Sequence, residues 1–212
     1  LIGDNYLSAL EFLDSVKPDI IVANNTGIAL AARQRNIHWI AGPFLNLTNS
    51  YSMRCLQEGL SCQGGFVSNE LNKYQINSIK QPPGFQLYFS IFHPILMMQS
   101  RQCFLPQVAG CEKEIVDSAC LAKCQKNATI RDPDDRDYFV HKRAGSYAEI
   151  YHENYYLNAD VLNALPGKFS KLMIDLREIQ TATEITVTKK QLIILFDEYL
   201  RGAEGAEVRL QE

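Results

Sequence analysis

No stretch of the 212-residue sequence approaches the roughly 20 apolar residues of a membrane-spanning helix. A basic segment followed by an apolar run and a small-residue cleavage site, the pattern of a secretory leader, is also absent. The formal net charge is −3, so the sequence has no excess of Lys and Arg over Asp and Glu. A protein that coats nucleic acid through bulk electrostatics needs such an excess. We therefore expect a soluble, cytoplasmic protein with no membrane partner, in which any contact with nucleic acid would be limited to a local patch.

The motifs of the common hydrolases and nucleotide-binding enzymes are missing too. There is no serine nucleophile motif, no His-Glu-x-x-His zinc site and no phosphate-binding glycine loop. A cysteine protease would need a reactive thiol beside a histidine, and His93 with Cys103 is the one such pair that lies close in sequence. The sequence therefore offers few of the catalytic residues that a peptidase mechanism requires.

The sequence has no methionine before Met53 and opens inside an apolar helical pattern. This pattern consists of residues on one helix face: Leu7, Leu10, Leu13 and Val16. We expect the chain to be an excised piece of a longer protein, with the missing N-terminal part as its partner in function.

The first hundred residues alternate short β-rich runs with helical runs, at about 25 residues per unit. Strands are predicted at 20–22, 38–41, 65–67 and 85–92, and helices at 26–35, 50–60 and 68–79, the last capped by Ser68. Such βα units form a parallel sheet, and their period suits a (β/α) barrel. Because a complete barrel needs about 250 residues, the sequence predicts an α/β fold with a partial barrel.

The regular alternation stops at His93-Pro94. Runs rich in Tyr, Phe and Val, separated by turn residues, then predict a small antiparallel β excursion, followed by a return strand at 169–175 and a last helix at 189–200 with Gly202 as its C-cap. The predicted segments are a barrel part at 1–100, a cysteine-rich segment at 101–136, the β excursion at 137–165, and the return strand and C-terminal helix at 166–212.

Four of the six cysteines lie within 22 residues, as Cys103-x7-Cys111-x8-Cys120-x3-Cys124. Four thiolates can saturate a tetrahedral zinc ion or hold the corners of a four-iron, four-sulfur cluster. The tight Cys-x2-Cys pairs of zinc ribbons are absent, but disulfides and free thiols also fit the spacing. Cys120 and Cys124 should present both thiols from one helical turn toward Cys103. Cys55 is predicted to pack in the core, and Cys62 to lie outside the site.

Three parts of this segment resemble the cysteine region of the collagenase-like peptidases, unclassified family 32. They are Ser100-Arg101-Gln102-Cys103, Gly110-Cys111 and Asp117-Ser118-Ala119-Cys120-Leu-Ala-Lys-Cys124. Met173-Ile174-Asp175-Leu176-Arg177 is similar to a strand near the end of these proteins. The resemblance covers most of the chain, and it is strongest to the C-terminal part of long bacterial members implicated in hydroxylating a cytidine of large-subunit (23S) ribosomal RNA.

The resemblance implies a four-iron, four-sulfur cluster held by cysteines, with zinc as the alternative. One departure matters, since the family has a further cysteine and a glycine where this sequence has Leu96 and Arg101. A usual fourth ligand is thus lost, and Cys111 or a residue outside this sequence would replace it. The resemblance implies an RNA-base hydroxylase, while the older family name implies a peptidase. A substrate-docking module without catalysis is the third hypothesis.

Three further residues are candidates for catalysis. His93 and Arg101 flank the end of the fourth predicted strand, and chemistry in a (β/α) barrel collects where the strands end. Asp175 shares one face of the return strand with Arg177, so the two could orient a substrate carboxylate or phosphate, or form a structural ion pair. We expect His93 and Arg101 to line the cavity that holds the cysteines. His141 and His152 alternate with aromatic residues, which favours a surface or interface role.

Overall fold

The computed structural model describes residues 4–113 and 116–211. The chain divides into two compact units, and we call residues 4–91 with 158–174 unit 1 and residues 92–157 with 175–211 unit 2. The fourth strand, β4, contributes its first residues to unit 1 and the remainder to unit 2. Among the described residues, no helix combines the length and the apolar content needed to cross a bilayer.

Unit 1 alternates helices with strands along the chain. Its elements are α1 Asp4–Val16, β1 Ile20–Ala23, α2 Thr26–Gln34, β2 His38–Ala41, α3 Ser50–Leu60, β3 Gly64–Phe66, α4 Lys73–Ser78, the start of β4 Gln86–Ser100, α7 Asp160–Ala164 and β8 Lys171–Ile174. The predicted strands at 20–22, 38–41 and 65–67 and the helices at 26–35 and 50–60 are confirmed to within about two residues.

The sheet of unit 1 has the strand order β1-β2-β3-β4, and all three neighbouring pairs are parallel. Strand β8 also pairs with β4, where the Ser170 N–H donates to the Leu87 carbonyl at 2.7 Å. Parallel neighbours joined through helices are the building units of a (β/α) barrel. The prediction of an α/β fold with a partial barrel is therefore confirmed.

The core of unit 1 explains why its strands are apolar at successive positions. Trp39, Leu87 and Phe89 are fully buried, as expected in a parallel sheet, in which both faces are covered. The Trp39 ring also donates its Nε1–H to the Leu60 carbonyl at 2.7 Å, which satisfies its polar group. At Gly64 a Cβ atom would lie only 2.5 Å from the Gln86 carbonyl oxygen, so the approach of β3 to β4 requires glycine there.

Two predicted element boundaries in the barrel part are wrong. Helix α4 begins at Lys73 rather than at Ser68, because Asn72 and Gln75 form a capping box at its start. Ser68 is buried, and its N–H donates to the Leu47 carbonyl at 3.0 Å. The second error is the end of β4, which continues eight residues beyond Phe92.

Unit 2 contains an antiparallel sheet and several short helices. Its elements are the rest of β4, α5 Leu105–Val108, α6 Ser118–Lys123, β5 Lys126–Arg131, β6 Asp137–Lys142, β7 Ala148–Leu157, α8 Lys189–Leu200 and α9 Ala206–Gln211. The strand order is β4-β7-β6-β5, and each pair is antiparallel. The predicted antiparallel excursion is confirmed as β6 and β7, to which β5 adds a further strand.

Strand β4 extends past Pro94 because β7 runs alongside it from Phe92 to Ser100. The register shifts twice, between Pro94 and Leu96 and again between Leu96 and Met98, as expected where proline removes a donor from the ladder. A proline thus interrupts the regular pairing without ending the strand. The predicted last helix is confirmed as α8, whose C-cap Arg201 is followed by Gly202 in the left-handed conformation.

Candidate functional site

Four cysteines of unit 2 line one cavity of about 480 Å³, which we call the cysteine cavity. Cys103 follows β4, Cys111 follows α5, Cys120 lies in α6, and Cys124 is the C-cap of α6. All four are free thiols of intermediate exposure. Residues spread over 22 positions of the sequence therefore open onto the same space.

Local hydrogen bonds explain how α6 presents its two cysteines. The Asp117 side chain caps the helix by accepting the Cys120 N–H at 2.7 Å. The Cys124 N–H donates to the Cys120 carbonyl at 3.3 Å, which closes one helical turn between the two cysteines. The Lys113 ammonium contacts Asp117 at 2.8 Å, and this hydrogen bond holds the pKa of the Asp117 carboxyl well below its usual range. The N-cap therefore stays ionised at neutral pH.

The other walls of the cavity carry mainly positive charge. Arg101 lies at 5.8 Å over the ring of Tyr147, and both residues line the cavity. Lys142, which is only 4% exposed, lines it as well. Glu112 is an acidic residue of the wall, and the nearby Asp117 is already paired with Lys113. An anionic ligand is thus favoured electrostatically in this cavity.

The donor set fits an iron–sulfur cluster or a zinc ion in kind and in number, because four thiols border one space. Within residues 4–113 and 116–211, however, no three His, Cys, Asp or Glu side chains are gathered closely enough to hold a metal ion. The sulfurs share the cavity without converging on one point. Holding a cluster would therefore require the segments that carry these cysteines to shift.

The three predicted catalytic residues lie in two different places. Arg101 lines the cysteine cavity, but His93 and Asp175 do not. The expectation that His93 and Arg101 line the same cavity is wrong, because β4 continues between them. Eight residues of extended strand separate two side chains by about 25 Å.

His93 lies in the middle of β4 rather than at its end. Its ring stacks on Tyr156 with centroids 4.8 Å apart, and Nδ1 lies 3.0 Å from the Pro94 carbonyl oxygen. Burial lowers the pKa of His93, although the hydrogen bond to Pro94 and the charge of Asp175 act in the opposite direction. The imidazole is therefore neutral at pH 7.

Asp175 lines a second cavity of unit 2, with a volume of about 590 Å³. Its carboxylate forms a forked ion pair with Arg177, with nitrogen–oxygen distances of 2.6 to 3.0 Å. Burial raises the pKa of Asp175, but the hydrogen bonds and charge of Arg177 outweigh this effect and leave it below its usual value. The predicted pairing of Asp175 with Arg177 is thus present in the structure, and its part in catalysis stays a prediction.

The second cavity also contains His141 and Tyr155, which the sequence did not suggest as site residues. His141 is 8% exposed, so the expectation of a surface or interface position is wrong. The Tyr155 hydroxyl donates to the Arg177 carbonyl at 3.0 Å and holds the segment that follows β8. Alternation with aromatic residues gave no usable signal, since β6 buries Val140, His141 and Lys142 in succession.

We predict that Arg177→Met lowers the free energy of unfolding by about 1–3 kcal/mol at pH 7, because it leaves the shielded Asp175 carboxylate without its partner. The folded-state pKa of Asp175 lies below its unfolded value, so this stabilisation is present above about pH 4 and disappears as the pH falls through the folded-state pKa. Urea unfolding at pH 7 and at pH 3 measures both effects.

The control is Arg54→Met, whose ion pair with Glu58 is exposed on both sides (67% and 62%), so that water screens it and it contributes little to stability. An Arg177→Met variant as stable as Arg54→Met at pH 7 would show that the Asp175 pair contributes no more than a surface ion pair.

The two remaining cysteines belong to unit 1 and are not among the residues that line the cysteine cavity. Cys55 is exposed on α3, so its predicted core position is wrong, and Met53 fills the core instead. Cys62 is buried, and its thiol donates to the Gly64 carbonyl at 3.0 Å. Burial raises the pKa of Cys62, which keeps this thiol protonated and unreactive.

Fold and site together define a mixed α/β protein with a partial (β/α) barrel in one unit and a four-cysteine cavity in the other. The family model of Peptidase family U32 matches residues 4–175, which include all four cysteines of the cavity. The chain belongs to peptidase family U32. No curated protein and no solved structure matches it significantly.

Proposed function

We propose that the cysteine cavity holds a four-iron, four-sulfur cluster in an enzyme that hydroxylates a cytidine of 23S ribosomal RNA. The observation that carries the cluster is that Cys103, Cys111, Cys120 and Cys124 line a single cavity. Thiolates on irregular, unequally spaced segments are ligands that such clusters accept. The choice of RNA as substrate rests on the resemblance of the cysteine segment to the long bacterial members of the family.

The surroundings of the cavity support an RNA base as substrate. Arg101 over the Tyr147 ring presents a guanidinium plane and an aromatic face, the two surfaces on which unpaired bases stack. A bound cluster would supply electron transfer or Lewis-acid chemistry beside that base. Arg101 would then neutralise the phosphate or position the base. His93 and Asp175 stay candidates for substrate contacts in the rest of unit 2.

A hydrolytic function has less support. A cysteine protease requires a histidine within hydrogen-bond reach of the thiol, and no histidine lines the cysteine cavity in the described part of the chain. The sequence paired Cys103 with His93, and the length of β4 separates them. A single zinc ion is the alternative occupant, because four thiolates also suit a tetrahedral structural site. The free thiols favour a reducing compartment, so we propose a cytoplasmic location.

We predict that protein purified without oxygen, or loaded with iron and sulfide, is brown and contains about four iron and four sulfide per chain. Absorption spectra, iron and sulfide assays and electron paramagnetic resonance after reduction measure this. Colourless protein with one equivalent of zinc would overturn the cluster and leave a structural zinc site. Because air destroys exposed clusters, the zinc result counts only when purification and loading are both anaerobic.

The RNA part of the proposal is tested separately. The chain is expressed in a host whose own family members are deleted, and cytidines of 23S ribosomal RNA are examined by mass spectrometry. Gain of one oxygen on one cytidine supports the proposal. An iron-loaded protein that leaves the RNA unchanged and fails to crosslink to it contradicts RNA as the substrate without contradicting the cluster.

A further inference from the structure

A buried lysine lines the same cavity as the four cysteines. Lys142 ends β6, has an exposed fraction of 4% and lines the cysteine cavity. Lysine is almost never buried this deeply unless it is paired, since an ammonium group taken out of water loses its favourable hydration. Among the described residues Lys142 takes part in no ion pair. None of the described carboxylates therefore neutralises the charge of Lys142.

The position of the ammonium group is set by backbone carbonyls. Its Nζ donates to the Arg143 carbonyl at 2.7 Å and to the Leu121 carbonyl at 3.3 Å. Leu121 lies between Cys120 and Cys124, and its carbonyl also accepts the Gly145 N–H at 2.7 Å. Lys142 is thus anchored to the helical turn that carries two of the four cysteines.

These contacts leave capacity for a ligand. An ammonium group has three N–H donors, and the described residues supply two acceptors for them. Carbonyl oxygens hold the group in place but do not cancel its full charge. Lys142 lines the cavity together with Arg101, so an anion in this cavity could accept the remaining donor.

We infer that Lys142 is the residue that attracts an anionic ligand to the cysteine cavity and positions it by a charged hydrogen bond. The inference rests on the proposed function for the identity of that ligand, an iron–sulfur cluster whose sulfides and thiolates carry net negative charge. The positive field at the thiols does not depend on iron. Lys142 is therefore a positioning residue rather than a ligand.

The field is measured on metal-free, reduced protein with two alkylating reagents of similar size. Iodoacetate is an anion and iodoacetamide is neutral, and both react with the same thiolate. The rate with iodoacetate divided by the rate with iodoacetamide, measured at one pH, is independent of the thiolate fraction. This ratio therefore reports the local electrostatic potential, and a positive potential raises it. Mass spectrometry resolves each cysteine, and the exposed Cys55 of the same chain is the internal reference.

We expect this rate ratio to be about threefold or more higher at Cys120 and Cys124 than at Cys55, because a charge several ångströms away contributes at least that factor in a partly buried site. Lys142→Met keeps the unbranched stem and removes the charge, and Lys142→Gln keeps a donor without the charge. Both should lower the ratio at Cys120 and Cys124 toward that of Cys55.

The matched control is Lys126→Met. Lys126 is opposite Lys142 in the β5–β6 pair but is exposed, so water screens its charge. Equal ratios at Cys120, Cys124 and Cys55 in the parent protein would overturn the inference even if neither Lys142 variant folds. A Lys126→Met effect as large as that of Lys142→Met would assign the field to the whole surface instead.

The iron-loaded protein provides a second measurement. A nearby positive charge stabilises the reduced cluster, so Lys142→Met should lower the reduction potential. A tenfold change in the equilibrium between the oxidised and the reduced cluster corresponds to about 59 mV for one electron. If the Lys142→Met variant has the same reduction potential and the same alkylation ratio as the parent, Lys142 does not have the proposed role. Failure of the parent to bind iron, with the ratio still elevated, contradicts the proposed cluster and leaves Lys142 as part of a site for another anion.

Discussion

In protein loaded anaerobically with iron and sulfide, Cys120→Ser is expected to retain less than about one iron per chain, against about four in the parent. Cys120 and Cys124 belong to the same helical turn, so loss of one thiolate removes half of the pair that α6 provides. A serine hydroxyl is a hard ligand that stays protonated at neutral pH, so it cannot replace the soft thiolate. Iron and sulfide assays measure the loss.

The control is Cys55→Ser, which changes an exposed thiol of unit 1 and should keep the iron content of the parent. The fold of α6 should survive Cys120→Ser, because the N-cap hydrogen bond uses the backbone N–H of residue 120. Far-ultraviolet circular dichroism and a urea unfolding curve confirm that survival. A Cys120→Ser variant with parental iron and an unchanged spectrum would remove Cys120 from the ligand set.

Cys111 is tested in the same way, because the resemblance implies that the usual fourth cysteine of the family is replaced by Leu96 in this chain. Cys111 lines the cavity and its N–H donates to the Leu105 carbonyl at 3.3 Å, which holds the end of the α5 segment. If Cys111 is the replacement ligand, Cys111→Ser loses iron as Cys120→Ser does. If a residue outside this sequence is the fourth ligand, the Cys111→Ser variant keeps the iron content of the parent.

The second large effect concerns the core of unit 1. Trp39→Ala is expected to lower the free energy of unfolding by about 3–5 kcal/mol, since it opens a cavity where a fully buried indole packed. It also leaves the Leu60 carbonyl without the Nε1–H donor that contacts it at 2.7 Å. Few single substitutions in a domain of this size should cost more.

Urea unfolding followed by circular dichroism is the measurement, because Trp39 is the one tryptophan of the chain and its removal abolishes the fluorescence signal. The control is Tyr51→Ala on α3, where the ring is 84% exposed and the expected change is within about 0.5 kcal/mol. A Trp39→Ala loss no larger than that of Tyr51→Ala would show that the barrel part does not depend on this core. The metal-free protein is used for both, so that ligand binding does not contribute.

The parts of the fold that could be predicted are those determined by local patterns. Helix α3 at Ser50–Leu60 and helix α8 at Lys189–Leu200 were predicted to the residue. Both have polar N-caps, Asn49 and Thr188, followed by residues spaced for one apolar face. The parallel strands of unit 1 were also predicted from a local pattern, namely short apolar runs between helices.

Apart from the start of α4, which a local capping box determines, the errors arise from long-range contacts. His93-Pro94 reads locally as a strand end, but β7, some 60 residues later in the chain, pairs with β4 on both sides of Pro94. Because of that pairing, β4 continues from His93 to Ser100. Arg101 therefore lines the cysteine cavity and His93 does not. Cys55 and His141 were likewise misplaced, because the side of an element that becomes buried depends on what packs against it.

The candidate site shows the same division. The sequence alone determined that four cysteines lie within 22 residues, that Cys120 and Cys124 share one turn, and that hydrolase motifs are absent, because spacing along the chain is a local property. Only the tertiary structure decided that all four thiols border one cavity, that His93 lies elsewhere, and that the ammonium group of Lys142 is buried beside the turn that carries Cys120 and Cys124. Burial and juxtaposition depend on strands and helices that are distant in sequence, and local propensity carries no information about which of them meet.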